Sequence, residues 1–342
     1  MNPAGLEGAA YWLPLIAAAV IAIAVAMYVV MDGFDLGVGI LFPFFPDESD
    51  RDQMMNSVAP FWDGNETWLV LGGTGLLVAF PLAYSIVAPA LYLPLIVMLL
   101  ALVLRGVAFE FRWVAKPRHR VWDFAFAVGS TVATFSQGVM LGDLVTGIPV
   151  RDGRFSGGAL DWLTPFDLMC GLGLVVGYAM LGSCWLVMKT AGGVEQASRR
   201  HAKRLLSGLL AFIVVVSVWT PLLFDRIAQR WFTWPNLLYL APVPVFTLIL
   251  AVTCRRGLSD KHPSQAFYSA VGLFIISFAG LMVSTLPYLV PPSLTIWAAA
   301  AAPKSLTFIL SGMVVLLPLI LGYTVFVYHT FRGKVRPGEG YH

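Results

Sequence analysis

Charge is what this sequence has least of. Asp, Glu, Lys and Arg make up 12% of its 342 residues and apolar residues 58%, whereas a soluble domain carries roughly 25% charged residues. A chain so poor in charge cannot cover a folded surface with polar groups, so much of that surface is expected to face lipid. Cysteine is nearly as scarce. Cys170 and Cys184 stand 14 residues apart in one apolar segment, roughly 21 Å along a helix, which is too far for a disulfide. Cys254 ends another segment beside Arg255 and Arg256. There is no CxxC and no metal-binding spacing, so the three read as apolar filler. The N-terminal run has no basic stretch before it and is too long for a signal peptide, so it is expected to remain as the first span. Long loops are missing too. The longest, near Ile148 to Thr164 and Thr190 to Arg204, hold about 20 residues, several-fold too few for a soluble catalytic module.

What is present is a series of apolar runs. Segments near 10–33, 57–80, 83–111, 122–145, 165–188, 205–224, 236–253, 265–287 and 304–330 each approach or exceed the ~20 residues of a spanning helix. They predict an all-α polytopic membrane protein of about nine transmembrane helices in one membrane domain. Pro81 to Ser85 is expected to form a tight hairpin between the second and third spans. The basic residues set the orientation. With the N-terminus outside and the C-terminus inside, sixteen loop cations fall inside, among them Arg51, Arg112, Lys116, Arg118, Lys189, Arg199, Lys261, Arg332 and Lys334. Five fall outside: Arg151, Arg154, Arg226, Arg230 and Lys304. This scatter over short loops explains the pI of 8.8 and excludes a nucleic-acid-binding domain.

Ionisable residues within such spans are costly and point to function. Asp32 and Asp35 lie in MDGFDLGVG, Asp63 and Glu66 in FWDGNETW, and Arg105 in LVLRGVAFEFR. Each acid pair has i,i+3 spacing and so shares a helix face. Counted along the spans, Asp32 and Asp35 end the first span near the inner surface, and Asp63 begins the second. Arg105 lies seven residues before Arg112, roughly 10 Å inside that boundary. Arg105 stays protonated and needs an anion, for which Asp63 or Asp32 is in reach. Two readings stand on these residues alone: a buried ion-pair network that locks the helices, or a carboxylate-lined proton path from the cytoplasm.

The five histidines (His119, His201, His262, His329 and His342) fall in inner loops or at the ends of the chain and of the last span. A haem buried in the membrane takes axial His or Met from helix interiors, so this chain alone is expected to hold no haem and no metal. The glycine-rich stretches at Gly37 to Ile40, Leu71 to Leu77 and Gly171 to Gly182 lack nucleotide-loop context and suit close helix approach. Trp62, Trp113, Trp122 and Trp231 sit near span ends, as in an aromatic belt, while Trp68 lies deeper.

MDGFDLGVG (Met31 to Gly39), NSVAPFWDGNETWLV (Asn56 to Val70) and LVLRGVAFEFR (Leu102 to Arg112), in that order, resemble subunit II of the cytochrome bd quinol oxidase family. PPSLTIW (Pro291 to Trp297) and a short basic tail extend the match, and the compact loops resemble the cyanide-insensitive branch. The resemblance implies two four-helix bundles plus one peripheral helix in a bacterial inner membrane. It implies a haem-bearing subunit I as partner, carrying two haems b and one haem d or a third haem b. The substrate implied is ubiquinol or menaquinol, and dioxygen is reduced to water. Small single-span accessory subunits, lipid and quinone are further partners it allows. Asp32 and Asp63 match family positions linked to proton delivery, Arg105 the buried family arginine, and Trp68 a position beside an oxygen route. Glu66 and Asp35 join them as proton-path candidates. A pure scaffold and a secondary transporter are the alternatives. The transporter lacks paired broken helices.

Overall fold

The computed structural model describes residues 5–115, 119–259, 262–336 and 338. Lys116, Arg118, Lys261 and His342, named above, lie outside the described residues. The helices are α1 (Ala9–Leu41), α2 (Glu48–Val58), α3 (Trp62–Ala79), α4 (Pro81–Ala90), α5 (Tyr92–Val114), α6 (His119–Thr146), α7 (Pro165–Lys189), α8 (Gly193–Leu223), α9 (Asp225–Phe232), α10 (Asn236–Leu240), α11 (Pro242–Ser259), α12 (Pro263–Thr285), α13 (Ile296–Ala299) and α14 (Pro303–Thr330).

Among the described residues eight helices are long and apolar enough to cross a membrane: α1, α5, α6, α7, α8, α10 with α11, α12 and α14. The expected second span is the 18-residue α3. It has full membrane length of roughly 27 Å, but Asp63, Asn65 and Glu66 lower its hydropathy. Several boundaries move. The first span runs on to Leu41, followed by a 3₁₀ turn at Phe42–Phe44, so Asp32 and Asp35 lie within the helix rather than at its end. The expected segment 57–80 is broken by a turn at 59–61 between α2 and α3. The hairpin expected at Pro81 to Ser85 is instead the ten-residue α4, because Pro81 at the first helical position favours a helix start. That helix also divides the third segment, and α5 begins only at Tyr92. The loop expected at Thr190 to Arg204 shrinks to three residues, since α8 starts at Gly193.

α1, α3, α5 and α6 pack as one bundle and α7, α8, α11 and α12 as a second, joined where α7 lies against α1 and α6. α14 touches α1 and α3 and exposes most of its apolar surface, with Phe308 82% accessible. Glycine makes the central seam possible: a Cβ on Gly37 would lie 1.9 Å from the Tyr178 carbonyl oxygen, and one on Gly182 2.5 Å from Gly37 C. α1 and α7 thus approach with backbone against backbone.

The two ends of the bundle differ. One end gathers the ends of α1, α5, α7, α11 and α14 with the starts of α3, α6, α8 and α12, and carries the cations expected inside. There Arg112 joins Asp52 at 2.5 Å and Asp123 at 2.6 Å, and Arg51 reaches Asp123 at 3.2 Å, which ties α2 to α5 and α6. The opposite end is closed by two short antiparallel hairpins, β1 (Val150–Arg151) with β2 (Arg154–Phe155) and β3 (Tyr288–Val290) with β4 (Leu294–Thr295). α4, α13 and a core of Phe80, Ile86, Ile148, Val290 and Ile296 pack beneath them. Arg226 donates to the carbonyls of Val145 and Thr146 at the end of α6, and Arg230 to Leu286 O at 2.6 Å.

Candidate functional site

The candidate residues meet in the interior near the cation-rich end. α1 presents Asp32 and Asp35, α3 presents Asn65 and Glu66, and α5 presents Arg105. Arg105 Nη1 lies 2.7 Å from Asp32 Oδ1, and both side chains are fully buried. Glu66 Oε2 approaches the same Nη1 at 3.8 Å, and its side chain is 28% accessible. The guanidinium also lies over the Phe109 ring, 5.9 Å from its centroid, and Phe109 stacks on Trp62 at 4.7 Å. Local structure brings these groups together. Asp32 and Asp35 stand three residues apart on α1, and Gly33, one of the close-packed α1 glycines, has the Tyr178 ring within 2.8 Å of where its Cβ would be.

Asp35 has a different partner. Asn65 Nδ2 donates to Asp35 Oδ2 at 2.6 Å and to the Met31 carbonyl at 3.3 Å, while Tyr328 on α14 donates to Asn65 Oδ1 at 3.0 Å. The peripheral helix is therefore pinned to the site by one hydroxyl. Away from the cation-rich end, the polar chain continues through Tyr28, one turn before Asp32 on α1. Gln137 Nε2 donates to Tyr28 Oη at 2.7 Å, and Tyr178 donates to Gln137 Oε1 at 3.2 Å.

Of the six residues singled out in the sequence, Asp32, Asp35, Glu66 and Arg105 form this cluster. Asp63 does not. It lies on the exposed side of the first turn of α3, so of the two partners expected for Arg105 only Asp32 is one. Asp35 is fully buried. Trp68 is 1% accessible within the main apolar core. Sequence reasoning missed Asn65, Tyr328, Tyr28, Gln137 and Tyr178, which are uncharged. The spacing of Tyr28 four residues before Asp32, and of Asn65 beside Glu66, was the available signal. It also missed that Cys184 neighbours Cys254 rather than Cys170; all three cysteines are free.

The described histidines all lie toward the cation-rich end. His119 is 3.3 Å from Glu48, His201 rests against Phe44 and Phe45, His329 contacts Arg332, and His262 directly precedes α12.

These features define a multi-pass helical membrane protein in which buried Asp32, Asp35 and Arg105 lie together near the cation-rich end of its bundles. The chain belongs to the cytochrome bd terminal oxidase subunit II family, which it matches over residues 13–331. It is 29% identical over 321 residues to the cytochrome bd ubiquinol oxidase subunit 2 of Bacillus subtilis (strain 168), covering 90% of this chain and 93% of that protein. It is likewise 29% identical over 347 residues to the cytochrome bd-I ubiquinol oxidase subunit 2 of Escherichia coli (strain K12), covering 90% and 91%. A solved structure of the bd oxidase from Geobacillus thermodenitrificans shares the fold with a TM-score of 0.72 and 18% identity, over 94% of this chain and 100% of that one. The chain is therefore a subunit of an oxidoreductase complex that uses haems and quinol, a multi-pass protein of the bacterial plasma membrane, and its family implies a partner subunit I.

Proposed function

We propose that this subunit supports a haem-bearing subunit I and carries protons from the cytoplasm toward that partner's oxygen site. The observation that carries the reading is the surplus of carboxylates around one cation. Asp32, Asp35 and Glu66 surround Arg105, the only cation within ion-pair reach of the cluster among the described residues. A buried carboxylate without its own cation takes up a proton readily. The positive-inside rule sets the cation-rich end in the cytoplasm, with the N-terminus outside. From there Asp63 is the exposed acceptor on α3, and Glu66, one turn on, is half sheltered. Asp32 receives the proton at its carboxylate while Arg105 holds that carboxylate in place.

The haems would lie in subunit I, where they supply the oxygen chemistry. In support, the described histidines sit toward one end of the bundles and the interior methionines Met54, Met55, Met98 and Met180 are packed in the apolar core. Trp68 would border an oxygen route. Small accessory subunits and a bound quinone or lipid complete the assembly we envisage. Ubiquinol and menaquinol, and haem d and a third haem b, remain the alternatives in subunit I.

The rival reading is a scaffold, and the complete burial of the Asp32–Arg105 pair favours it, since such a pair fixes helix register. Asp63→Asn separates the two. Asp63 has no ion-pair partner among the described residues, so the purified complex should keep its haem and lose quinol oxidase turnover. Normal turnover would sink the proton role, and joint loss of haem and assembly would favour the scaffold.

A further inference from the structure

At the cation-rich end, residues Phe331 to Val335 fold back as a strap across the base of α7. The Val335 amide donates to Lys189 O at 2.7 Å, Gln53 Nε2 donates to Val335 O at 2.7 Å, and Lys334 pairs with Glu195 at 2.8 Å. Under the strap lies a cavity of about 290 Å³ whose lining includes Asn56, Ser57, Phe61, Lys189, Phe331 and Lys334. Lys189 is 5% accessible. It donates to the carbonyls of Phe331 and of Gly333, the latter at 3.0 Å, and faces the rings of Phe61 at 5.5 Å and Trp185 at 5.4 Å. Among the described residues no carboxylate lies within 4.0 Å of it, the ion-pair limit. An ammonium has three donors, and two of these meet carbonyls.

A buried charge is expensive unless an opposite charge answers it, and here none among the described residues does. The surroundings add to the imbalance. Among the described residues Glu195 is the carboxylate paired at the strap, and it is already shared by Lys334 and Arg199, while Arg332 bonds to His329. The cavity is large enough for a tetrahedral anion and several waters, each about 30 Å³, and Lys189 and Lys334 both line it.

We propose that this cavity binds a phosphate-bearing anion, with Lys189 as its buried counter-ion and Lys334 as its second contact. Its source is either the headgroup of an anionic phospholipid or free phosphate. The site does not rest on the proton reading and lies outside the Arg105 cluster.

The test uses the assembled wild-type complex and the Lys189→Gln and Lys334→Gln variants in mild detergent. Thermal unfolding is followed while phosphatidylglycerol, phosphatidylcholine, sodium phosphate, or sodium chloride at matched ionic strength is added. Wild type should be stabilised saturably by phosphatidylglycerol alone if a lipid is the ligand, and by sodium phosphate as well if the free anion is. Lys189→Gln should lose the response. If that variant fails to assemble, Lys334→Gln decides, and its half-saturating concentration should rise about tenfold, as for one lost charge-assisted contact. An equal response of wild type to chloride, or titrations unchanged in the assembled variants, would overturn the proposal.

Discussion

Replacing Asp32 with Asn should destabilise this subunit more than any other single change in the cluster. The mutation leaves the Arg105 guanidinium, fully buried, without its partner at 2.7 Å, and its remaining counter-charge is Glu66 at 3.8 Å. Removing one member of a buried pair costs about 3–5 kcal/mol. Because Glu66 can move toward the vacated position, the lower half of that range is expected, about 3 kcal/mol, or on the order of a hundredfold in the folded-to-unfolded ratio. The double variant Asp32→Asn with Arg105→Met removes both charges and should recover most of the loss, because an apolar replacement of a buried pair is often neutral. Denaturant titration of the detergent-solubilised complex, read by tryptophan fluorescence and haem retention, gives the cycle. A single variant costing less than about 1 kcal/mol, or a double variant no better than the single, would refute the argument that each buried charge depends on the other.

Three further outcomes follow from the same geometry. Gly37→Ala should lower the assembled yield sharply, because its Cβ would meet the Tyr178 carbonyl oxygen at 1.9 Å and overpacking costs about 1–3 kcal/mol or more. Gly64→Ala, with nothing within 4 Å of its Cβ, serves as control and should express normally. Tyr328→Phe should cost about 1–3 kcal/mol by stranding Asn65 Oδ1; a melting temperature equal to wild type would show that α14 is not pinned through this hydroxyl. Arg112→Gln should free α2 from α5 by removing the contacts to Asp52 and Asp123, leaving Arg51–Asp123 as its weaker tie to α6. Limited proteolysis between Phe45 and Val58 should then accelerate, and an unchanged cleavage pattern would count against that anchor.

Much of this protein was legible from the chain alone, because in a lipid solvent composition dictates architecture. Length and apolarity located the spans, since each must satisfy its own backbone across about 30 Å. Cation placement separated the two ends, and the rarity of charge marked Asp32, Asp35, Asp63, Glu66 and Arg105 as candidates in one inner layer. Helix periodicity, however, assigns residues to faces without saying which neighbour a face meets. Only tertiary packing decided that Arg105 pairs with Asp32 while Asp63 turns outward. It also decided that Asp35 is answered by Asn65, 30 residues away, and that Asn65 in turn is held by Tyr328, 263 residues from it. Boundaries moved for a related reason. Asp32 and Asp35 look like a helix end by hydropathy, yet α1 packs against α3, α6 and α7 and runs on to Leu41. The strap over Lys189 was beyond sequence reading altogether, because its polar contacts are made by backbone carbonyls, which every residue has, and only the fold determines which of them meet a buried ammonium.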